Sequence, residues 1–188
     1  MPEIVPYKHL WPSEFSAIAA RLRQALGGLA LRIDHIGSTS VPGLAAKDII
    51  DIQVTVTALD KAVIERISGM GFMYKESIDR DHLPPGFEDD EDEWRKLLFN
   101  APPGQRHTHI HVRMQEHANQ RYPLLFRDYL RSHPASAEAY AELKRRLARA
   151  LADPADYPDV KDPAVDLIYL AAEEWAAAVR WMPDAGDA

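Results

Sequence analysis

His35-Ile-Gly-Ser-Thr-Ser-Val-Pro-Gly-Leu-Ala-Ala-Lys47 runs straight into Asp48-Ile-Ile-Asp-Ile-Gln-Val-Thr-Val56, and this stretch decides the fold. Residues two apart in a strand share a face. From Asp48 to Val56 one face therefore carries Ile50, Ile52, Val54 and Val56, and the other carries Ile49, Asp51, Gln53 and Thr55. The preceding Leu31 to Ile36 reads as another strand, so Gly37 to Ala46, rich in Gly, Ser and Pro, is the loop between them.

The strand His107-Thr-His-Ile-His-Val-Arg113 has the same two-sided character. Thr108, Ile110 and Val112 lie on one face; His107, His109, His111 and Arg113 lie on the other. Strands with one apolar side are expected to turn those sides toward one core. Asp51, Gln53, His109, His111 and Arg113 then line a common polar face. An exposed antiparallel face is polar anyway, but such faces favour Lys, Glu, Thr and Ser over three alternating histidines.

Helical spacing appears first at Phe15, Ile18, Ala19, Leu22 and Leu26, ended by Gly27-Gly28, and again at Leu59 to Met70. Phe72 to Ser77, Trp94 to Phe99 and Thr108 to Met114 are strand-like, the last two joined by a turn at Ala101-Pro102-Pro103-Gly104. Helices are expected over Asn119 to Arg131, Ser136 to Leu151 and Ala164 to Trp181. Asp79 to Glu93 holds eight carboxylates in fifteen residues and is expected to be a solvated, mobile loop rather than a metal site. Strands early and helices late predict an α+β domain: a small mixed or antiparallel sheet packed on helices, with a helical C-terminal third, over residues 1–188 as one unit.

The 188 residues carry 22 Lys+Arg against 29 Asp+Glu, a net charge of −7, and no cysteine. One domain of this length closes a real core. Lack of cysteine excludes a disulfide framework, Cys-based zinc sites and thiol catalysis, and fits a reducing cytoplasm. The acidic balance argues against duplex nucleic acid as a partner. No membrane span or secretory signal is expected. An anionic small ligand would need a local cluster of cations or backbone N–H groups.

The Gly37 loop offers such a cradle, since its small residues leave backbone N–H groups open, Ser38, Thr39 and Ser40 add hydroxyls, and Lys47 adds charge. It is not a Walker loop, whose Gly-x4-Gly-Lys spacing is absent. Twelve residues separate Ser38 from Asp51.

A Gly-Ser pair on a loop followed about ten residues later by an acid inside an apolar strand resembles the nucleotidyltransferase superfamily. The wider run HIGSTSVPGLAAKDIIDIQV resembles the GrpB family, assigned to that superfamily's fold. Further matches are Arg95-Lys-Leu-Leu-Phe99, His107 to Val112, Phe126 to Pro134, Tyr140 to Lys144 and Tyr157 to Lys161, so the likeness runs from about Val5 to Trp175. The resemblance implies nucleotidyl transfer from a nucleoside triphosphate to an acceptor hydroxyl, with Gly37 and Ser38 on the phosphates and Asp51 as the first metal-binding carboxylate. The family pattern's second carboxylate is Gln53 here. Its third falls on the strand bearing His109 and His111, which has no acid. Mg²⁺ prefers oxygen donors, so Asp51 with His109 and His111 suits a softer ion such as Mn²⁺, Zn²⁺ or Ni²⁺ better than the Mg²⁺ that the resemblance implies.

Arg113, Tyr140, Lys144, Tyr157 and Lys161 are candidates to grip phosphate or base, against the alternative that the tyrosines anchor the core and the lysines are solvated. Arg145, Arg146 and Arg149 are expected at the surface. Trp11, Trp175 and Trp181 are expected to pack, with a homodimer through the aromatic face near Trp175 to Trp181 as a further expectation. A cupin-like metal site on His109, His111 and Glu116 conflicts with the helical last third. A serine hydrolase lacks the Gly-x-Ser-x-Gly elbow. Two functions are expected: a metal-dependent nucleotidyltransferase using Asp51, Gln53, His109 and His111, or a non-catalytic nucleotide or phosphometabolite sensor.

Overall fold

The computed structural model describes residues 3–188. Helix α1 (Trp11–Leu26) leads into β1 (Arg32–Ile36), a tight turn at Ser38–Ser40, then β2 (Ile50–Val56) and α2 (Lys61–Gly69). β3 (Met73–Tyr74), the one-turn helix α3 (Glu91–Trp94), β4 (Leu97–Asn100) and β5 (Thr108–Met114) complete the sheet region. Three helices follow: α4 (Ala118–Ser132), α5 (Pro134–Ala150) and α6 (Tyr157–Val179). This is the α+β class the sequence predicts, with a mixed five-stranded sheet in the order β1-β2-β5-β4-β3.

The two informative strands are neighbours. β2 and β5 run parallel, with Asp51 opposite His109, Gln53 opposite His111 and Thr55 opposite Arg113. β1 is antiparallel to β2 and sets Ile36 opposite Asp51. The apolar sides of both central strands close against α1 and α2: Ile50, Ile52, Val54, Ile110 and Val112 are fully buried with Phe15, Leu22, Val63 and Ile67. Each such side chain contributes about 1.5–3 kcal/mol of burial. A second cluster joins Val41 and Leu44 of the loop after β1 to Leu125, Phe126, Tyr140 and Tyr169 of the C-terminal helices. Residues of α4, α5 and α6 border the same cavity as Asp51, His109 and His111 of the sheet's polar face, where the His109 and Asp51 side chains stay 28% and 27% exposed.

Four local expectations are corrected. The strand expected at Phe72–Ser77 pairs only at Met73 and Tyr74. Trp94 closes α3 instead of starting a strand, because Asp90 accepts from the Asp92 N–H and starts that turn. α6 begins at Tyr157, seven residues before the expected start at Ala164. Pro158 sits in its first turn, where a missing N–H costs nothing, and Pro163 is carried inside the helix by the packing of Tyr169 and Ala172. The acidic segment Asp79–Glu93 is not simply solvated: the Asp81 carboxylate accepts from Lys96 at 2.7 Å and from Arg113 at 2.7 and 2.9 Å.

Trp175 packs edge-on against Tyr129 and His133, and the Trp181 indole N–H donates to Asp128, so both rings have partners within the chain. Among the described residues no helix is long and apolar enough to cross a membrane.

Candidate functional site

Gly37 ends β1 at φ +69°, and the chain turns so that Ser40 N–H and Oγ both return to the Gly37 carbonyl. A Cβ on Gly37 would meet Asp51 Oδ2 at 2.5 Å, so only glycine lets the loop lie on the aspartate. Thr39 pins the loop's other side: its hydroxyl donates to the Ile49 carbonyl at 3.1 Å and contacts His35 Nε2 at 3.0 Å.

Asp51, His109 and His111 converge. Asp51 Oδ1 lies 3.2 Å from His109 Nδ1 and 3.8 Å from His111 Nε2, and one ligand atom from each fits within 4.8 Å of the others. Burial works to raise the Asp51 carboxyl, but the imidazoles of His109 and His111 beside it outweigh that and hold the group well below the ordinary carboxylate range. His111 is lowered to about 4, by burial first and by Arg113 and Lys96 second, against the pull of Asp51. It is neutral at pH 7. Its Nδ1 faces the Arg113 guanidinium at 3.5 Å; arginine only donates, so Nδ1 is the acceptor and the assigned proton sits on Nε2, toward Asp51.

These groups line a cavity of about 350 Å³ shared by the Gly37 loop, β2, β5 and the C-terminal helices. Gly37, Ser38, Thr39, Lys47, Asp51, His109, His111, Tyr140, Lys144, Tyr157 and Lys161 all border it. Lys144 is buried, donating to Ser38 Oγ at 2.8 Å and the Ala45 carbonyl at 2.6 Å, with its ammonium 4.6 Å from the Tyr140 ring centroid. Burial, then the neighbouring Lys161 charge, brings the Lys144 amine down to about 7. Lys47 sits 3.8 Å over the Tyr157 ring, its amine likewise lowered by burial and by Lys161. A lining with three lysines and the one carboxylate of Asp51 suits an anion.

Three expected residues stand apart from it. Ser40 is spent on Gly37. Gln53 is fully buried, its Nε2 donating to the Gln120 carbonyl at 2.9 Å and its Oε1 accepting from Arg113 at 2.8 Å. Arg113 turns to Asp81, not to the lysines. Asp81 escaped sequence reasoning because nothing local distinguishes it among eight acids; only the fold sets it against Arg113.

The donor set fits one divalent ion, held by Asp51, His109 and His111, of the borderline kind that accepts imidazole. Ligation by His111 requires its proton to move to Nδ1, against Arg113. The set does not fit two Mg²⁺ ions, since Gln53 is neutral and engaged and Asp81 is neutralised by Arg113 and Lys96.

Comparison with known proteins adds family. A dephospho-CoA kinase of Mycobacterium tuberculosis (strain ATCC 25618 / H37Rv) is 39% identical, over 96% of this chain and 48% of that protein. The UPF0157 protein PA4798 of Pseudomonas aeruginosa is 36% identical, over 78% of this chain and 57% of that protein. The chain thus spans about half the length of the curated relatives it matches. The crystal structure of conserved protein GrpB from Enterococcus faecalis aligns with a TM-score of 0.75 at 31% identity, covering 92% of this chain and 99% of that one. The GrpB protein family model matches residues 1–170, and the chain belongs to the GrpB family.

Proposed function

We propose that the cavity binds the phosphates of a nucleoside triphosphate and transfers a nucleotidyl, or related phosphoryl, group to a small acceptor. The observation that carries this reading is the meeting of three lysines with the Asp51–His109–His111 cluster in one cavity. Lys47, Lys144 and Lys161 hold phosphate charge, and Gly37 lets the loop's backbone approach it. A divalent ion, Mn²⁺ or Zn²⁺ before Mg²⁺, when held by Asp51 with the two imidazoles, supplies charge neutralisation at the reacting phosphate. In transfer the acceptor oxygen bonds to the α-phosphorus and pyrophosphate leaves. Where His109 is not a ligand, its ring, oriented by Asp51, is placed to take the acceptor's proton.

A second reading is a nucleotide- or phosphometabolite-binding module without turnover. Gln53 at the second acid position and the neutralised Asp81 favour it. The kinase activity named for the mycobacterial relative is not carried over: this chain matches 48% of that protein and has no Gly-x4-Gly-Lys-Ser/Thr loop to hold phosphates.

Pyrophosphate release from nucleoside triphosphates with Mg²⁺, Mn²⁺ or Zn²⁺ tests both. Release that is lost in Asp51→Ala supports the enzyme. Retained nucleotide affinity with no product under any ion supports the sensor.

A further inference from the structure

A second cavity, of about 190 Å³, lies beside the first. The two share Tyr122, Pro123, Lys161 and Val165 as a common wall. Its floor is the Asp81–Arg113 pair, and Trp94 and Tyr122 provide aromatic sides. Asn119, also in its lining, is 1% exposed. The Asn119 amide donates from Nδ2 to Asp81 Oδ2 at 3.1 Å and to the Arg95 carbonyl at 2.7 Å. Both partners only accept, so the amide cannot be turned around. Its Oδ1 is therefore the remaining atom, and it has no hydrogen-bond partner among the described residues. A buried acceptor left unpaired is destabilising, and a group that donates to it relieves that cost.

The charges around this cavity are already matched. Asp81 pairs with Arg113 and Lys96, His82 lies against Asp166 at 3.0 Å, and Lys161, on the shared wall, also serves the neighbouring phosphate cavity. The cavity calls for a ligand portion that is neutral, flat enough for aromatic walls, and equipped with an N–H donor. Phosphate fits none of these needs; the lysine cavity next door does.

We propose that this second cavity is the nucleobase subsite of the same ligand, and that Asn119 Oδ1 selects bases bearing an exocyclic amino group. The assignment rests on the phosphate-binding reading above, because the shared Lys161 wall joins the two cavities into one site. Bases with a carbonyl in place of the amino group turn an acceptor toward Oδ1 at that position and offer only the adjacent ring N–H, one atom displaced, so they bind more weakly.

Isothermal titration of the full chain decides it, with ATP, CTP and GTP against ITP and UTP, which lack the amino group, and with inorganic triphosphate as the phosphate-only probe. At least one amino-bearing nucleotide is expected to bind about tenfold or more tighter than both ITP and UTP. Asn119→Ser should erase that preference and leave inorganic triphosphate affinity in place. If Asn119→Ser does not fold, the wild-type panel still decides. Amino-bearing nucleotides within about threefold of ITP and UTP, or a preference that follows ribose against deoxyribose instead, overturn the subsite while the phosphate cavity stands. Where inorganic triphosphate fails to bind, adenosine against inosine separates the two ideas: preference for adenosine keeps the subsite alone, and binding of neither removes both.

Discussion

Gly37 and Asp51 are in contact across the β1–β2 hairpin edge, with space for a hydrogen but not a carbon between them: an added Cβ would sit 2.5 Å from Asp51 Oδ2 and 3.0 Å from Asp51 Cβ. The Gly37 loop and the carboxylate are thereby packed as one unit, with no room for a side chain between them.

Gly37→Ala should separate that contact from simple backbone strain. Gly43 also has positive φ, +80°, with nothing within 4 Å of its Cβ position. Both alanine variants should lose about 1–3 kcal/mol from the positive-φ backbone, Gly37 at ψ −175° lying in a region essentially reserved to glycine, read by urea denaturation. Only Gly37→Ala should also weaken inorganic triphosphate binding, by about tenfold or more. Equal binding by both variants would show that the contact has no functional role.

Lys144 makes anion binding pH-dependent. Its amine is near 7 when folded and 10.4 in an unfolded chain. Between those values the unfolded chain carries more protons, so Lys144 makes the free protein more stable as pH rises from about 7 to 10. A bound anion raises the amine's pKa, so triphosphate binding at pH 8 should take up close to one proton. Calorimetry in buffers of different ionisation enthalpy reads this, and uptake should vanish in Lys144→Met. Uptake near zero in the wild type would refute it.

Acid should weaken the fold in a defined window. His35, stacked on Phe15 at 4.8 Å, is lowered to about 4 chiefly by burial, as is His111. Unfolded histidine titrates near 6.5, so stability falls as pH drops from about 6.5 to 4, and the depressed carboxyls of Asp51 and Asp81 extend the loss below about 4. His35→Phe keeps the stack and should reduce the slope by up to about 1.4 kcal/mol per pH unit. An unchanged slope in denaturation curves would mean that His35 is not the responsible group.

Asp81 is expected to be structural. Asp81→Asn leaves Arg113 and Lys96 buried with an uncompensated charge, and should destabilise by about 3–5 kcal/mol. A loss below about 1 kcal/mol in urea denaturation would contradict this.

The metal cluster should bind one ion per chain. Titration with Mn²⁺ followed by electron paramagnetic resonance should give a stoichiometry of one, and Asp51→Asn should abolish it. Two ions per chain would contradict the count of free carboxylates.

Alternation alone revealed that Asp51, Gln53, His109 and His111 share a side, because a strand's period of two is a local property of the backbone. The strand Thr108–Met114 was legible for the same reason, and with it the α+β class; Lys144 and Lys161 stood out only through the family resemblance, not through any strand pattern. What the sequence could not say is which members of the polar face stay free. Gln53 and Arg113 have the right parity, yet they are taken by Gln120 and Asp81, partners 67 and 32 residues away. Asp81 looked like one solvated acid among eight, and the sequence left Lys144 open between a ligand-gripping and a solvated lysine. Burial decides both, since a charge removed from water must be paired, hydrogen-bonded or neutralised. Local pattern therefore determined which residues face together. Only the docking of α4, α5 and α6 over the sheet, a sum of long-range contacts invisible to any sequence window, decided which are available to a ligand.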